Sequence, residues 1–311
     1  HLIQQNIATI VQPVGIFIDL SVAGHKNFMS ETKEKSSSPH LDEDEQSQAA
    51  RHSTPRALVI HEIIREEGEQ ELERTNTALA LSGLAGGLSM GFSFLALSLL
   101  RASMPDTGWR HAVASLGYSV GFIIVVLGRQ QLFTENTLTA VLPVLTRRDF
   151  ATFWSAARLW VIVLAANIVG TWIFAAIIHA PQVFPADVTA AFQQVAQEAI
   201  PPVFYATLVK AFFAGWLIAL MVWILPAAQS ARIFVILIIT YVVSLAQLSH
   251  IVAGSAEAAY DVLSGGASLS QYFILFLVPT LLGNIVGGVV LVTMLNHGSI
   301  APEIEEGKEK S

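Results

Sequence analysis

Thr134 and His250, each set in a polar interruption of an apolar run, are the residues of this chain best placed to do chemistry. Thr134 lies in Arg129-Gln-Gln-Leu-Phe-Thr-Glu-Asn-Thr137, and His250 in Ser244-Leu-Ala-Gln-Leu-Ser-His-Ile-Val-Ala-Gly-Ser255, with Glu257 and Asp261 following. Imidazole titrates near physiological pH and donates to an anion when charged. A threonine hydroxyl donates and accepts. Residues 116–127 and 138–145 are apolar, and together they are long enough to cross a bilayer only if the polar stretch between them lies inside it. Polar groups persist at that depth where protein buries them or a wet cavity receives them, so the interruption reads as a site. A lone histidine on an apolar helix is more often a hydrogen-bonded core residue, and its position has to argue for more.

That position repeats. Phe133 precedes Asn167 by 34 residues, His250 precedes Asn284 by 34, and both asparagines open the word Asn-Ile-Val-Gly. The two halves are offset by 117 residues at both points, which places His250 in the slot of the other half's interruption. Broken helices at matching positions of two halves point to a transport site near the bilayer midplane. Thr134 is expected to be the N-cap of the half-helix after its break. The dipole and free N–H groups of such a helix start would favour an anionic guest. Asn167 and Asn284 are expected to tie the broken chain through side-chain hydrogen bonds. Arg129 and Glu135 bring opposite charges to the first break, where they either pair with one another or retune a pore.

The elements that hold these residues must be membrane helices. The 311 residues are 53% hydrophobic and 13% charged, with a mean hydropathy of +0.57, far from the quarter charged that is usual in soluble domains. The net charge of −7 sits in the tails, because residues 76–298 hold 7 acids and 8 bases. Acidic tails argue against a nucleic-acid partner and an electrostatic anchor on anionic lipid. With no cysteine, disulfides and thiolate chemistry are excluded.

Four regions follow along the chain. Residues 1–52 read as a disordered or non-native tail: 1–28 lack the plan of a secretory signal and are expected to lie upstream of a start at Met29, and 29–52 are rich in Ser, Glu, Asp and Gln with little to bury. Residues 53–75 predict an amphipathic helix, capped at Ser53-Thr54-Pro55, with Leu58, Ile60, Ile63 and Ile64 on its apolar side against the membrane surface or the bundle. Residues 76–298 predict six transmembrane segments, at 76–101, 111–146 with its break, 152–179, 203–225, 232–263 with its break, and 271–297. Residues 299–311 form an acidic tail. Arg147, Arg148 and Arg232 occupy loops on one side, while 181–202 and 264–271 lack Lys and Arg, so both termini are expected in the cytoplasm despite Arg101 and Arg110 in the first loop. Gly83, Gly87 and Gly91, and Gly283 and Gly287, predict close helix contacts.

Other motifs carry less. Gly87-Leu-Ser-Met-Gly91 matches a hydrolase pattern, but that pattern needs a strand-turn-helix elbow and here lies within an apolar helix; an enzyme is not expected. His179 and His297 sit at segment ends without metal-ligand spacing, and no metal or other cofactor is expected. Lys210 either snorkels to the interface or draws anions into a vestibule.

Across residues 57–298 the chain resembles the formate/nitrite transporter family, through Gln131-Leu-Phe-Thr-Glu-Asn-Thr137, Ser249-His-Ile-Val-Ala-Gly254 and the two Asn-Ile-Val-Gly words, and within it the inner-membrane branch of enteric bacteria. The resemblance implies an all-α, aquaporin-like fold of six helices in two inverted three-helix repeats with broken second and fifth helices. It also implies a homopentamer in the bacterial inner membrane with one pore per protomer. By position, Thr134 and His250 match the family's pore centre, Leu132 and Phe133 its constriction loop, Tyr118 and Phe122 constriction residues on the second helix, and Val243 a position on the fifth that is often aromatic. Around the broken helices stand Arg129, Gln131, Glu135, Asn136, Asn167, Ser249 and Asn284. Typical formate channels carry an acid where this chain has Gln131 and Ser249, so the substrate does not follow from the resemblance. The expected function is a channel or proton-coupled transporter for a small monovalent anion. The alternatives are a non-conducting structural or regulatory membrane partner and a neutral-solute pore.

Overall fold

The computed structural model describes residues 40–53, 55–297 and 300, and every regular element among them is helical. Residues 1–28, expected not to be native, and the tail after 300 lie outside the described residues. The chain divides into a unit that ends at Ser53 and one that begins at Thr54. The first contains α1, Glu43–His52, within a stretch whose composition predicts no order. The reason is local: Asp42 accepts from the Glu45 N–H at 2.8 Å, and Glu45 accepts from the Asp42 N–H at 3.1 Å, a reciprocal cap for a helix start.

The second unit opens with α2, Ala57–Leu72, which starts later than the sequence predicts because Arg56 is extended and no side chain caps it. Its buried residues Ile60 and Ile64 pack with Leu138, Leu142, Ala219 and Val222, so α2 lies against the bundle. Arg158 fixes its far end, donating to the carbonyls of Leu72 at 2.7 Å and Arg74 at 3.2 Å. Such a cation satisfies carbonyls that a helix end leaves open.

Then come α3, Asn76–Ala102; α4, Arg110–Ala114, leading through a 3₁₀ turn into α5, Ser119–Leu127; α6, Phe133–Thr139; α7, Val141–Arg147; and α8, Phe150–His179. Asp149 caps α8 through the Thr152 N–H and hydroxyl, at 2.8 and 2.7 Å. The segment 181–202, read from sequence as an outside loop, contains α9, Ala186–Ala199, which buries Val188, Ala191, Phe192, Val195 and Ala196. These residues recur at the three- and four-residue spacing of an amphipathic helix. The rest is α10, Phe204–Ile224; α11, Arg232–Leu245; α12, Ala253–Leu263; α13, Leu269–Gln271; and α14, Val278–Ile285, with π-helical turns at Tyr272–Leu277 and Val286–His297.

Among the described residues five helices are long and apolar enough to cross a membrane: Asn76–Ala102, Arg110–Leu127, Phe150–His179, Phe204–Ile224 and Leu269–Val290. Gln229–Leu245 is apolar but shorter. The Gly-x-Ser-x-Gly word lies within α3, without an elbow.

α3 packs on α8, and α10 on α14. A side chain at Gly87 would meet the Asn167 carbonyl, and one at Gly215 the Asn284 carbonyl. The glycine stripe is therefore a packing seam. Gly87→Leu or Gly215→Leu should destabilise the fold by about 1–3 kcal/mol or more through overpacking. Gly108→Ala, whose added methyl meets nothing within 4 Å, should leave melting in detergent unchanged.

Candidate pore site

The two interruptions are one turn built twice. After α5, Gly128 N–H donates to Ile124 at 2.8 Å, Arg129 N–H to Val126 at 3.3 Å and Gln130 N–H to Val125 at 3.0 Å. After α11, Ala246 donates to Val242 at 3.0 Å, Gln247 to Ser244 at 2.9 Å and Leu248 to Val243 at 2.9 Å. Arg129 and Gln247 both take the left-handed conformation, with φ of 53° and 50°. Each turn then presents a short extended stretch whose backbone groups need partners in an apolar interior.

One asparagine serves each turn. The Asn167 side chain donates to the carbonyls of Gly83 at 2.7 Å and Gln131 at 2.9 Å, and accepts from the Phe133 N–H at 2.9 Å. Asn284 donates to the carbonyls of Ala211 at 2.8 Å and Ser249 at 3.0 Å, and accepts from the Ile251 N–H at 2.8 Å. Both asparagines are buried. The tie lands on Ile251, one residue beyond the match that a uniform offset of 117 predicts. The turns correspond at 118, because Asn284 follows its bonded N–H by 33 residues and Asn167 by 34. The counterpart of His250 is therefore Leu132, and that of Thr134 is Val252.

His250 and Thr134 nevertheless meet, with Nε2 and Oγ1 2.8 Å apart and both residues buried. The expected N-cap role of Thr134 is overturned: the cap of α6 is Leu132, extended at φ −119° and ψ 124°, which leaves the Thr134 hydroxyl to His250. The N–H groups expected to be free at the helix start are largely occupied as well, Phe133 by Asn167, and Glu135 and Asn136 by the Leu132 carbonyl at 3.1 and 3.2 Å. On the other ring nitrogen, Ala253 N–H donates to Nδ1 at 3.1 Å. A nitrogen that accepts carries no proton, so in this arrangement the neutral ring holds its proton on Nε2 and donates it to Thr134.

Rings enclose this pair. Phe122 packs edge-on against His250 with centroids 5.0 Å apart, Tyr118 packs on Phe122 at 5.4 Å, and Phe133 on Trp160 at 5.8 Å. Tyr118, Phe122, Leu132, Phe133 and Val243 are all buried.

A cavity approaches from either side, and the two share no lining residue. The first, about 70 Å³, is lined by Tyr118, Ser249, His250 and Glu257 together with Arg101, His111 and Glu198. Arg101 is paired with Glu198 at 2.7 Å. The second, about 630 Å³, is lined by Glu67, Glu71, Arg74, Arg129, Gln130, Gln131, Glu135 and Arg232. Arg129 does not pair with Glu135: its guanidinium reaches Glu67 on α2, 3.0 Å away. Glu71 accepts from Gln131 at 3.2 Å and from the Thr139 hydroxyl at 2.6 Å, and Gln131 accepts from Asn136 at 2.7 Å. Sequence reasoning missed the two α2 acids, because an amphipathic helix does not say what its polar side touches. Lys210 is half-buried on α10 and lines neither cavity.

The formate/nitrite transporter family model matches residues 58–298. The chain belongs to that family. It is 39% identical over 280 residues to the inner membrane protein YfdC of Escherichia coli (strain K12), covering 90% of this chain and 88% of that protein. It is 25% identical over 243 residues to the formate channel BtFdhC of Bacillus thuringiensis, covering 75% and 91%. Among solved structures it resembles a pentameric formate channel with formate bound, at 19% identity and a TM-score of 0.59 over 74% of this chain and 96% of that one. An ion channel of the same family gives 18% identity and a TM-score of 0.66 over 74% and 94%. These likenesses establish the fold.

In this family member α2 is bound to the first turn by Glu67 and Glu71, so its attachment should depend on pH. Burial raises the Glu71 carboxyl above the usual carboxylate range, against the two hydrogen bonds from Thr139 and Gln131 that favour its charged form. A raised carboxyl binds more protons folded than unfolded, so its contribution to stability falls as pH rises through that raised range. Glu71→Gln should flatten this dependence of the melting temperature from pH 5 to pH 8. Asn167→Leu and Asn284→Leu should each lower stability by about 2–3 kcal/mol or more, since buried carbonyls and an N–H lose their partners.

Proposed function

We propose that the chain is a channel or proton-coupled transporter for a small monovalent anion of the formate or nitrite kind, with Thr134 and His250 at the pore centre. The observation that carries this reading is the buried contact between the two residues, drawn from two separate turns and approached by a cavity on either side. Thr134 and His250 supply O–H and N–H donors to a guest that separates them, and Tyr118, Phe122, Leu132, Phe133 and Val243 supply the apolar constrictions. Charging His250 requires that Nδ1 give up the Ala253 N–H, which makes proton movement and local rearrangement a single event.

In this reading α4–α7 form one interrupted crossing and α11–α12 another, so six crossings make two inverted repeats and both termini face the cytoplasm. The turns that correspond at an offset of 118 support it. Arg147 at the end of α7 and Arg148 just after it support a cytoplasmic position for the second cavity. Assembly as a homopentamer in the bacterial inner membrane follows the similarity to the relatives named above. Lys210, away from both cavities, serves the interface by snorkelling.

Anion flux into proteoliposomes tests the proposal. Wild-type protein should admit formate or nitrite with a rate that depends on pH, His250→Ala should lose that dependence, and Thr134→Val should slow flux by about ten- to a hundredfold through loss of the hydroxyl. Absence of flux for formate, nitrite, acetate and chloride would favour a non-conducting partner role.

A further inference from the structure

Each cavity holds one carboxyl that no hydrogen bond or ion pair reaches among the described residues. In the first it is Glu257 on α12, which lines the space together with Gly254 of the same helix and His250 in the turn just before it. The groups facing Glu257 are Arg101 of α3, His111 of α4, Tyr118, Glu198 of α9 and His250. Arg101 is engaged by Glu198, and His111 Nε2 lies 3.1 Å from the Leu245 carbonyl. In the second cavity it is Glu135, adjacent to Thr134, whose Oε1 is buried without a partner. Facing it are Glu67 and Glu71 from α2 and Arg74 just beyond its end, with Arg129 and Arg232. Every other acid lining either space is bonded: Glu198 to Arg101, Glu67 to Arg129, and Glu71 to Gln131 and Thr139.

An anion entering a space of about 70 Å³ beside an ionised Glu257 is repelled, whereas a protonated Glu257 both removes the repulsion and offers a donor. His250 has no vacant nitrogen for that task, since Nδ1 accepts from Ala253 and Nε2 faces Thr134. We propose that Glu257 and Glu135 are the proton-exchange residues at the two ends of the pore, an inference that rests on the anion-pore reading above. On transfer the Glu257 O–H bond breaks and its proton forms the O–H bond of the weak acid, leaving a carboxylate. At the far end the acid's O–H bond breaks and the proton passes to the Glu135 carboxylate. Transport in the other direction reverses both steps. The apolar neck at Tyr118 and Phe122 then meets a neutral molecule.

The experiment uses the full chain in liposomes loaded with a pH-reporting dye, driven by a formate gradient at several pH values. Wild type should acidify the lumen as formate enters. Glu257→Gln and Glu135→Gln should each slow acidification by at least about tenfold, the scale of a lost proton-transfer group, and flatten the pH profile. Glu257→Asp and Glu135→Asp should retain the profile, which a merely structural role would not require. A Gln variant that keeps the wild-type rate and profile overturns the assignment of that residue. Absence of formate flux in the wild type overturns the underlying reading instead. If a Gln variant is not monodisperse, the Ala variant replaces it under the same criterion.

Discussion

The structure depends on supplying hydrogen-bond partners to backbone that leaves its helix in an apolar interior. A single unpartnered backbone group there costs about 1–3 kcal/mol in a protein interior, and each turn exposes several at once. Asn167 and Asn284 meet that need with one side chain apiece, because a carboxamide offers two donors and an acceptor in a fixed plane. The third partner in each case is a carbonyl on a neighbouring helix, Gly83 on α3 or Ala211 on α10. The tie therefore joins three segments, and it requires the close approach that glycines 87 and 215 permit.

The contact between Thr134 and His250 follows from how the chain sits in those ties. Thr134 comes one residue after the bonded N–H of its turn, and His250 one residue before the bonded N–H of the other. Two turns of the same construction thus present different side chains to one point, and an asymmetric pair with a hydroxyl on one side and an imidazole on the other results. The Ala253 N–H then selects the tautomer that points a proton at Thr134.

Charge is organised around this neutral centre. α2 brings Glu67 and Glu71 to the first turn, where they engage Arg129, Gln131 and Thr139, and the bond from Arg158 to the end of α2 holds the helix in place for it. Arg101 and Arg110, which dissent from the simple count of basic loop residues, have local uses: Arg101 pairs with Glu198, and Arg110 donates to the Arg101 carbonyl at 2.9 Å. The acids left over, Glu135 and Glu257, stand out because every other acid lining the two cavities is bonded.

The sequence by itself determined the class, the helical content, the two interruptions and the asparagines that serve them, because a run of apolar residues, a polar break and a repeated word are local features that need no partner to be read. It also put Thr134 and His250 in the breaks. Tertiary structure alone decided the rest. The one-residue difference between the two spacings shows only when the bonded N–H groups are seen, since a shorter loop can be absorbed anywhere between Ile251 and Asn284. That Thr134 faces His250 instead of capping α6, and that Arg129 chooses Glu67 over Glu135, are outcomes of competition among partners far apart in the chain. Sequence spacing states which groups need a partner, and only packing brings one within 3 Å of another.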